Sequence, residues 1–227
     1  MVGAGLAHSA WALEDAPPLA LLQAHFGHER PSEAARHVAD WVVGSRDNQR
    51  LPFVVVDKVA ATVFVFGADG RLRGAAPALL GLARGDNAVP GIGNRPLSAI
   101  LPHERTTPAG RFVANLDKNL KGSDILWVDY DGAVSLHAVV TQVASERRAQ
   151  RLSSPTPTDN RISFGCINVS AGFFQTVVLP AFRQSNGVVY VLPESRSVQQ
   201  VFGVPPVVAG WPAPTSDVQA AVAGRAR

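Results

Sequence analysis

The chain has 227 residues, 46% of them hydrophobic and 17% charged, enough for one sizeable domain with a buried core and unlike a disordered chain. Lys and Arg number 21 against 18 Asp and Glu, a formal net charge of +3, and without a run of five like charges there is no nucleic-acid or membrane arm. A single cysteine, Cys166, excludes an intrachain disulfide and a multi-thiolate zinc site, and no apolar run approaches the roughly 18 to 20 residues of a spanning helix.

The first dozen residues, MVGAGLAHSAWA, are apolar but lack the basic start and long apolar stretch of a secretory signal. They read as a disordered start or the trimmed remnant of an export segment. The segment 31–43, PSEAARHVADWVV, has Pro in a first-turn position and apolar residues at Ala34, Ala35, Val38, Trp41 and Val42, which predicts an amphipathic helix. Next come FVVV and, beyond Lys58, TVFVFGADGRLRGA, two β-rich runs with a hairpin turn at Ala68-Asp69-Gly70 that begin an antiparallel sheet.

Residues 81–108 carry too many Gly and Pro for a long helix or central strand and predict an extended, ordered loop region. Gly91-Ile92-Gly93 within it lacks the strand and helix context of a dinucleotide fingerprint. Three further β runs follow, 111–115, 125–130 and 134–140, the last two joined at Asp131-Gly132. Residues 145–160, SERRAQRLSSPTPTDN, predict a short charged helix and a Ser/Thr/Pro segment, read as an inserted lobe or lid.

A short β run ends at Cys166, a helix runs from Ala171 to about Leu179 where Pro180 interrupts it, and a last strand covers 188–192. The tail from Val204 is rich in Pro, Ala and Val and reads as loose. With strands outnumbering helices and no internal repeat, the expected fold is mainly β, a sheet core with a few packed helices. The expected division is an N-terminal segment 1–51 with one helix, a catalytic domain 52–193 with the insertion 145–160, and a tail 194–227.

The chemistry concentrates in RISFGCINV, residues 161–169. A glycine directly before a thiol lets a substrate carbonyl approach the backbone, and adjacent N–H groups suit an oxyanion. A thiol is a poor nucleophile until it becomes a thiolate, so Cys166 needs a base, and His is suited to that near neutral pH. Of the six histidines, four lie ahead of the predicted sheet, and His103 sits in a Pro-rich loop. His137, in the alternating run SLHAVV, is the better base.

Ser163-Phe164-Gly165-Cys166-Ile167-Asn168 resembles the L,D-transpeptidase (YkuD-type) signature, in which Ser or Thr is followed by His-Gly-Cys, a hydrophobic residue and Asn. Five of the six positions match. DKVAATVFVFGADGRL, TTPAGRF and the strand carrying His137 precede it in the order of such a domain, so the resemblance covers roughly residues 52–193. It implies Cys166 as nucleophile, His137 as base, an oxyanion hole from the amides around Gly165 and Cys166, and Ser163 orienting the base.

Arg161, Asn168, Phe164, Arg147 and Arg148 are the expected substrate contacts; the arginines, with Arg151, flank the nucleophile in sequence and read either as a solvated face or as partners for stem-peptide carboxylates. The implied reaction is acyl transfer from a peptidoglycan stem peptide through a Cys166 thioester, with no metal or organic cofactor and a periplasmic or cell-envelope setting. Hydrolysis of the thioester by water is the alternative within the class. Phe164 stands where the pattern has His, and twenty-nine positions separate His137 from Cys166, a surplus that the insertion 145–160 accounts for. These departures keep open a degenerate peptidoglycan-binding module.

Overall fold

The computed structural model describes residues 23–206; the expectations for the first dozen residues and for nearly all of the tail beyond Val204 lie outside them. The expected helix forms as α1, Glu33–Ser45. Ser32 is its N-cap, Oγ accepting the Ala35 N–H at 3.1 Å, so Pro31 stands just ahead of the helix rather than in its first turn. Arg46 in the left-handed region ends it, and Ala35, Val38, Ala39 and Val42 form its buried stripe.

Ten strands follow among the described residues: β1 Phe53–Asp57, β2 Thr62–Phe66, β3 Leu72–Pro77, β4 Leu80–Gly81, β5 Gly110–Lys118, β6 Asp124–Asp129, β7 Val134–Ala138, β8 Arg161–Ser163, β9 Ile167–Val169 and β10 Gly187–Val191. Eight of them make one sheet in the order β3-β2-β1-β10-β5-β6-β7-β9. The protein is mainly β, as its composition of strand-forming runs requires. The hairpins are antiparallel as expected, whereas β1 with β10 and β7 with β9 pair in parallel, so the sheet is mixed; β4 and β8 form a separate parallel pair.

Its two ends come close to closing. Leu79, just after β3, exchanges both backbone hydrogen bonds with Asn168 of β9, at 2.7 and 2.9 Å, and β4 pairs with β8 beside this bridge. Closure of this kind leaves few unpaired strand edges. The consequence for function is positional: the cysteine-bearing segment is fixed on one side by β7 and on the other by the chain leaving β3.

The runs FVVV, VFVF and VVYV are buried at every position because β1, β2 and β10 are covered on both faces. Val54, Val56, Val63, Val65, Val189 and Val191 face one cluster with Leu126, Leu136, Ile167, Phe174, Val178 and Phe182. Phe53, Val55, Phe64, Phe66, Val188 and Tyr190 face the other with α1 residues, Leu192 and Val204. Val204 is thus packed, and the chain just before it forms the last described helix, α5, Val198–Phe202, with Ser197 as its cap.

Pro180 does not interrupt the helix after β9. Helix α3, Ala171–Phe173, passes through a π-helical stretch, Phe174–Val178, into α4, Leu179–Phe182. The widened π turn accommodates a residue that has no N–H to donate, so the chain continues. This helix lays Phe174, Val178, Leu179 and Phe182 on the sheet. At its far end a Cβ on Gly187 would fall inside van der Waals contact with the Phe182 ring and the Pro52 carbonyl oxygen. Gly187→Ala is therefore expected to destabilise by about 1–3 kcal/mol, read as a lower urea midpoint at unchanged slope.

Candidate active site

β7 and β9 lie side by side in parallel, with His137 opposite Asn168 and Leu136 opposite Ile167. Cys166 immediately precedes β9, so the strand register brings thiol and imidazole to the same place. Alternation along β7 puts Ser135 on the face of His137, and Ser135 Oγ lies 3.7 Å from Cys166 Sγ. The thiol donates to the Ala133 carbonyl oxygen, also at 3.7 Å. Ser135 was not singled out from the sequence, although its spacing of two from His137 was there to read.

The turn into the cysteine is tied at several points. Ser163 Oγ donates to the Cys166 carbonyl at 2.6 Å and accepts the Gly165 N–H at 3.1 Å. Gly165 has φ 134°, and a Cβ there would sit 3.0 Å from the Thr106 carbonyl oxygen. Its own carbonyl accepts from Thr107 Oγ1 at 2.8 Å, and that buried hydroxyl accepts the Gly81 N–H at 2.9 Å. Backbone conformation, rather than an open amide, is what the glycine supplies.

The role expected of Ser163 is filled elsewhere. Its hydroxyl is spent within the turn and its carbonyl accepts the Leu82 N–H, while His137 Nδ1 is held by the carbonyl of Ala138 at 2.8 Å. On the opposite side of the ring, Asn168 Nδ2 lies 3.1 Å from His137 Nε2. Asn168 is buried and its Oδ1 accepts from Arg148 Nη1 at 2.7 Å. A main-chain carbonyl has no sequence signature, which is why Ala138 was missed.

Electrostatics couples the pair. Burial pushes the Cys166 thiol up, but the His137 imidazole beside it and the N–H and hydroxyl of Ser135 outweigh burial, and the thiol ends below its ordinary value. Burial likewise disfavours a charged His137, and Cys166 more than offsets it, so the imidazole is held above its ordinary value. A half-buried thiol with this environment is chemically able to serve as a nucleophile.

The remaining expected residues divide. Phe164 lies in the turn two residues ahead of Cys166, with the Arg105 guanidinium stacked on its ring, 3.9 Å from the centroid. Arg148 reaches the site from the segment 145–160, where α2 is Arg148–Leu152. Arg147 is exposed and lines a polar hollow of about 340 Å³ with Gln150, Arg151, Ser154 and Asp159, among which neither Cys166 nor His137 is found. His103 is exposed on a 3-10 turn.

Arg161, expected to face substrate, is turned into the protein. Its guanidinium donates to Glu194 Oε2 at 2.6 Å, to Oε1 at 3.2 Å and to the Lys58 carbonyl at 2.8 Å. With its side chain 6% exposed, it is committed to a buried ion pair and has nothing to offer a substrate carboxylate. Lys58 belongs to the same cluster, donating to Asp86 Oδ1 at 2.9 Å and to the Thr107 carbonyl at 3.0 Å. Because Arg161 opens β8 and Thr107 holds Gly165, the cluster braces the turn that carries Cys166.

Fold and site together define a mainly β protein with a thiol and an imidazole paired across two parallel strands. No protein-family model matches the chain, and no curated protein matches it. Similar solved structures include the helical cell shape determining protein Pgp2 of Campylobacter jejuni, at 13% identity and a TM-score of 0.44 over 74% of this chain and 58% of that one. Another is an L,D-transpeptidase of Xylanimonas cellulosilytica, at 17% identity and a TM-score of 0.37 over 62% of this chain and 60% of that one. The chain therefore spans less than two thirds of either structure. Among the described residues no helix is long and apolar enough to cross a membrane, and no group of His, Cys, Asp and Glu is arranged to hold a metal ion.

Proposed function

We propose that the protein is a cysteine acyl-transfer enzyme acting on peptidoglycan stem peptides, with Cys166 as nucleophile and His137 as base. The observation that carries this reading is the pairing of a thiol lowered below its ordinary value with an imidazole oriented by the Ala138 carbonyl, on a turn whose sequence resembles the L,D-transpeptidase signature. The thiol proton passes from Sγ to Nε2, the thiolate attacks the carbonyl carbon of the donor, and the Cys166 N–H faces the developing oxyanion. As the C–N bond breaks, the leaving amine takes the proton from Nε2 and a thioester remains. A second amine, or water, then resolves it.

The peptidoglycan donor and an envelope location rest on the signature resemblance. Phe164 replaces a polar neighbour of the thiol with an aromatic ring capped by Arg105, a surface suited to packing against an aliphatic stretch of the donor. The test is intact-mass measurement after incubation with a tetrapeptide stem and, separately, with a carbapenem, for the wild type and Cys166→Ala. A Cys166-dependent adduct with either is the expected result, and adding an amine acceptor separates transfer from hydrolysis. A folded wild type that acquires no adduct from either compound sinks the enzyme reading in favour of a binding module.

A further inference from the structure

Arg148 lies on the lobe between the proposed base and nucleophile, its side chain 12% exposed. Its Nε donates to Glu146 Oε2 at 2.6 Å and its Nη1 to Asn168 Oδ1 at 2.7 Å. A guanidinium can only donate, so the Asn168 oxygen is the atom turned toward Arg148 and the Nδ2 amide group is the one turned toward His137. That contact, at 3.1 Å, requires a lone pair on Nε2. On the other side of the ring Nδ1 faces the Ala138 carbonyl at 2.8 Å and must carry a hydrogen.

One protonation state satisfies all three contacts: a neutral imidazole with its hydrogen on Nδ1. An imidazolium would set Nε2–H against the Asn168 N–H, two donors face to face. Asn168 cannot relieve this by flipping while Arg148 holds its oxygen, because the flip would turn its NH2 toward the guanidinium. The placing of the thiol fits the same state, since Sγ lies 3.7 Å from the Ala133 carbonyl oxygen, which can only accept.

We infer that Arg148 is a positioning residue: through Asn168 it holds the Cys166–His137 pair un-ionised at rest, and a substrate carboxylate that draws the guanidinium away lets the thiol proton move to Nε2. The step breaks one S–H bond and forms one N–H bond, leaving thiolate and imidazolium, with no other reactant. It rests on the reading of Cys166 and His137 given above. Burial and the charge on Arg148 both oppose a positive charge on His137, against Cys166 and the Ala138 carbonyl, which on balance hold the imidazole above its ordinary value. Cys166 and Arg148 are the titratable and charged groups that bear on His137 among the described residues, with Glu146 behind Arg148.

The lobe's internal bonds show how the arginine is presented. Arg151 donates from Nε to the Glu146 carbonyl and from Nη1 to the Asp159 carbonyl, both at 2.8 Å, which fixes the lobe's own shape. Arg148 extends from that frame to β9, so a shift of the lobe as a unit would carry the guanidinium with it.

The chain's single cysteine allows a direct test. Alkylation of Cys166 by iodoacetamide is followed from acid to alkaline pH without substrate, for the wild type and Arg148→Met. The variant is expected to alkylate about threefold to tenfold faster at neutral pH, the scale of one released hydrogen bond, with its profile moved to lower pH. A folded variant that alkylates at the wild-type rate or more slowly overturns the inference. Should the variant not fold, nitrogen-15 NMR of the wild type decides: His137 is expected with hydrogen on Nδ1 and a bare Nε2, and a hydrogen on Nε2 overturns it. Neither readout needs acyl transfer, so an absent stem-peptide adduct would count against the proposed function and leave this measurement standing.

Discussion

Replacing His137 by Gln is expected to slow acyl-adduct formation at Cys166 by about 10²–10⁴-fold, the range of a lost general base. The pH profile carries the more specific signature. In the wild type the imidazole outweighs burial and lowers the thiol, so the acid limb lies below that of a free cysteine. Without the imidazole, burial loses its main opponent, the thiol moves up, and the acid limb moves to higher pH. The apparent values belong to the pair, because two groups this close titrate together. Stopped-flow acylation by a carbapenem across pH measures both effects. A loss below tenfold with an unmoved limb would mean that another group takes the thiol proton.

The second large effect is structural. Glu194→Ala is expected to destabilise the protein by about 3–5 kcal/mol, because it strands buried cations. Glu194 answers Arg161 at 2.6 Å and accepts the Gly85 N–H at 2.8 Å, with its side chain 4% exposed. Lys58, whose side chain is 0% exposed, lies 3.8 Å away. Removing the carboxylate leaves Arg161 with the Lys58 carbonyl but no acidic partner among the described residues, and Lys58 with Asp86 as its remaining carboxylate. Against a total stability of about 5–15 kcal/mol, a loss of this size is large. Urea unfolding followed by circular dichroism checks it, and a change under about 1 kcal/mol would show that the cluster relaxes by admitting water.

Acid acts on the same cluster. Burial opposes ionisation of Asp86, but the Ser195 hydroxyl, the N–H groups of Glu194 and Arg196, and Lys58 outweigh it and hold the carboxyl well below the ordinary carboxylate range. A group depressed in the folded state contributes stability that is fully present above its unfolded value of about 4 and is lost as pH falls through the folded value. Glu194, Ser195 and Arg196 thus act as part of the body that carries the site, although they fall beyond the expected boundary at residue 193. Chain position gave no hint of this, since the cluster joins residues more than a hundred positions apart.

Much of the architecture was legible beforehand. The alternating run SLHAVV marked β7, β-rich runs marked β1, β2 and β6, the spacing of Ala35, Val38 and Val42 marked α1, and the Gly and Pro of 81–108 marked a loop region. These are local signals, set by which side of an element meets the core. Pro180 misled because the rule that proline ends a helix assumes α geometry, and a π stretch precedes it here.

The sequence by itself determined a mainly β protein with one thiol, one well-placed strand histidine, and a glycine turn between them and the last strand. Only tertiary structure decided what each neighbour does. Arg161 and Arg148 look alike in the chain, both arginines near the cysteine, yet one is consumed by Glu194 and the other reaches Asn168. The part expected of Ser163 falls to Ala138 because a hydroxyl bonds whatever the turn brings nearest, and a main-chain carbonyl is available at every residue. Hydrogen-bond direction depends on the positions of both partners, and strand register and loop closure, not sequence distance, set those positions.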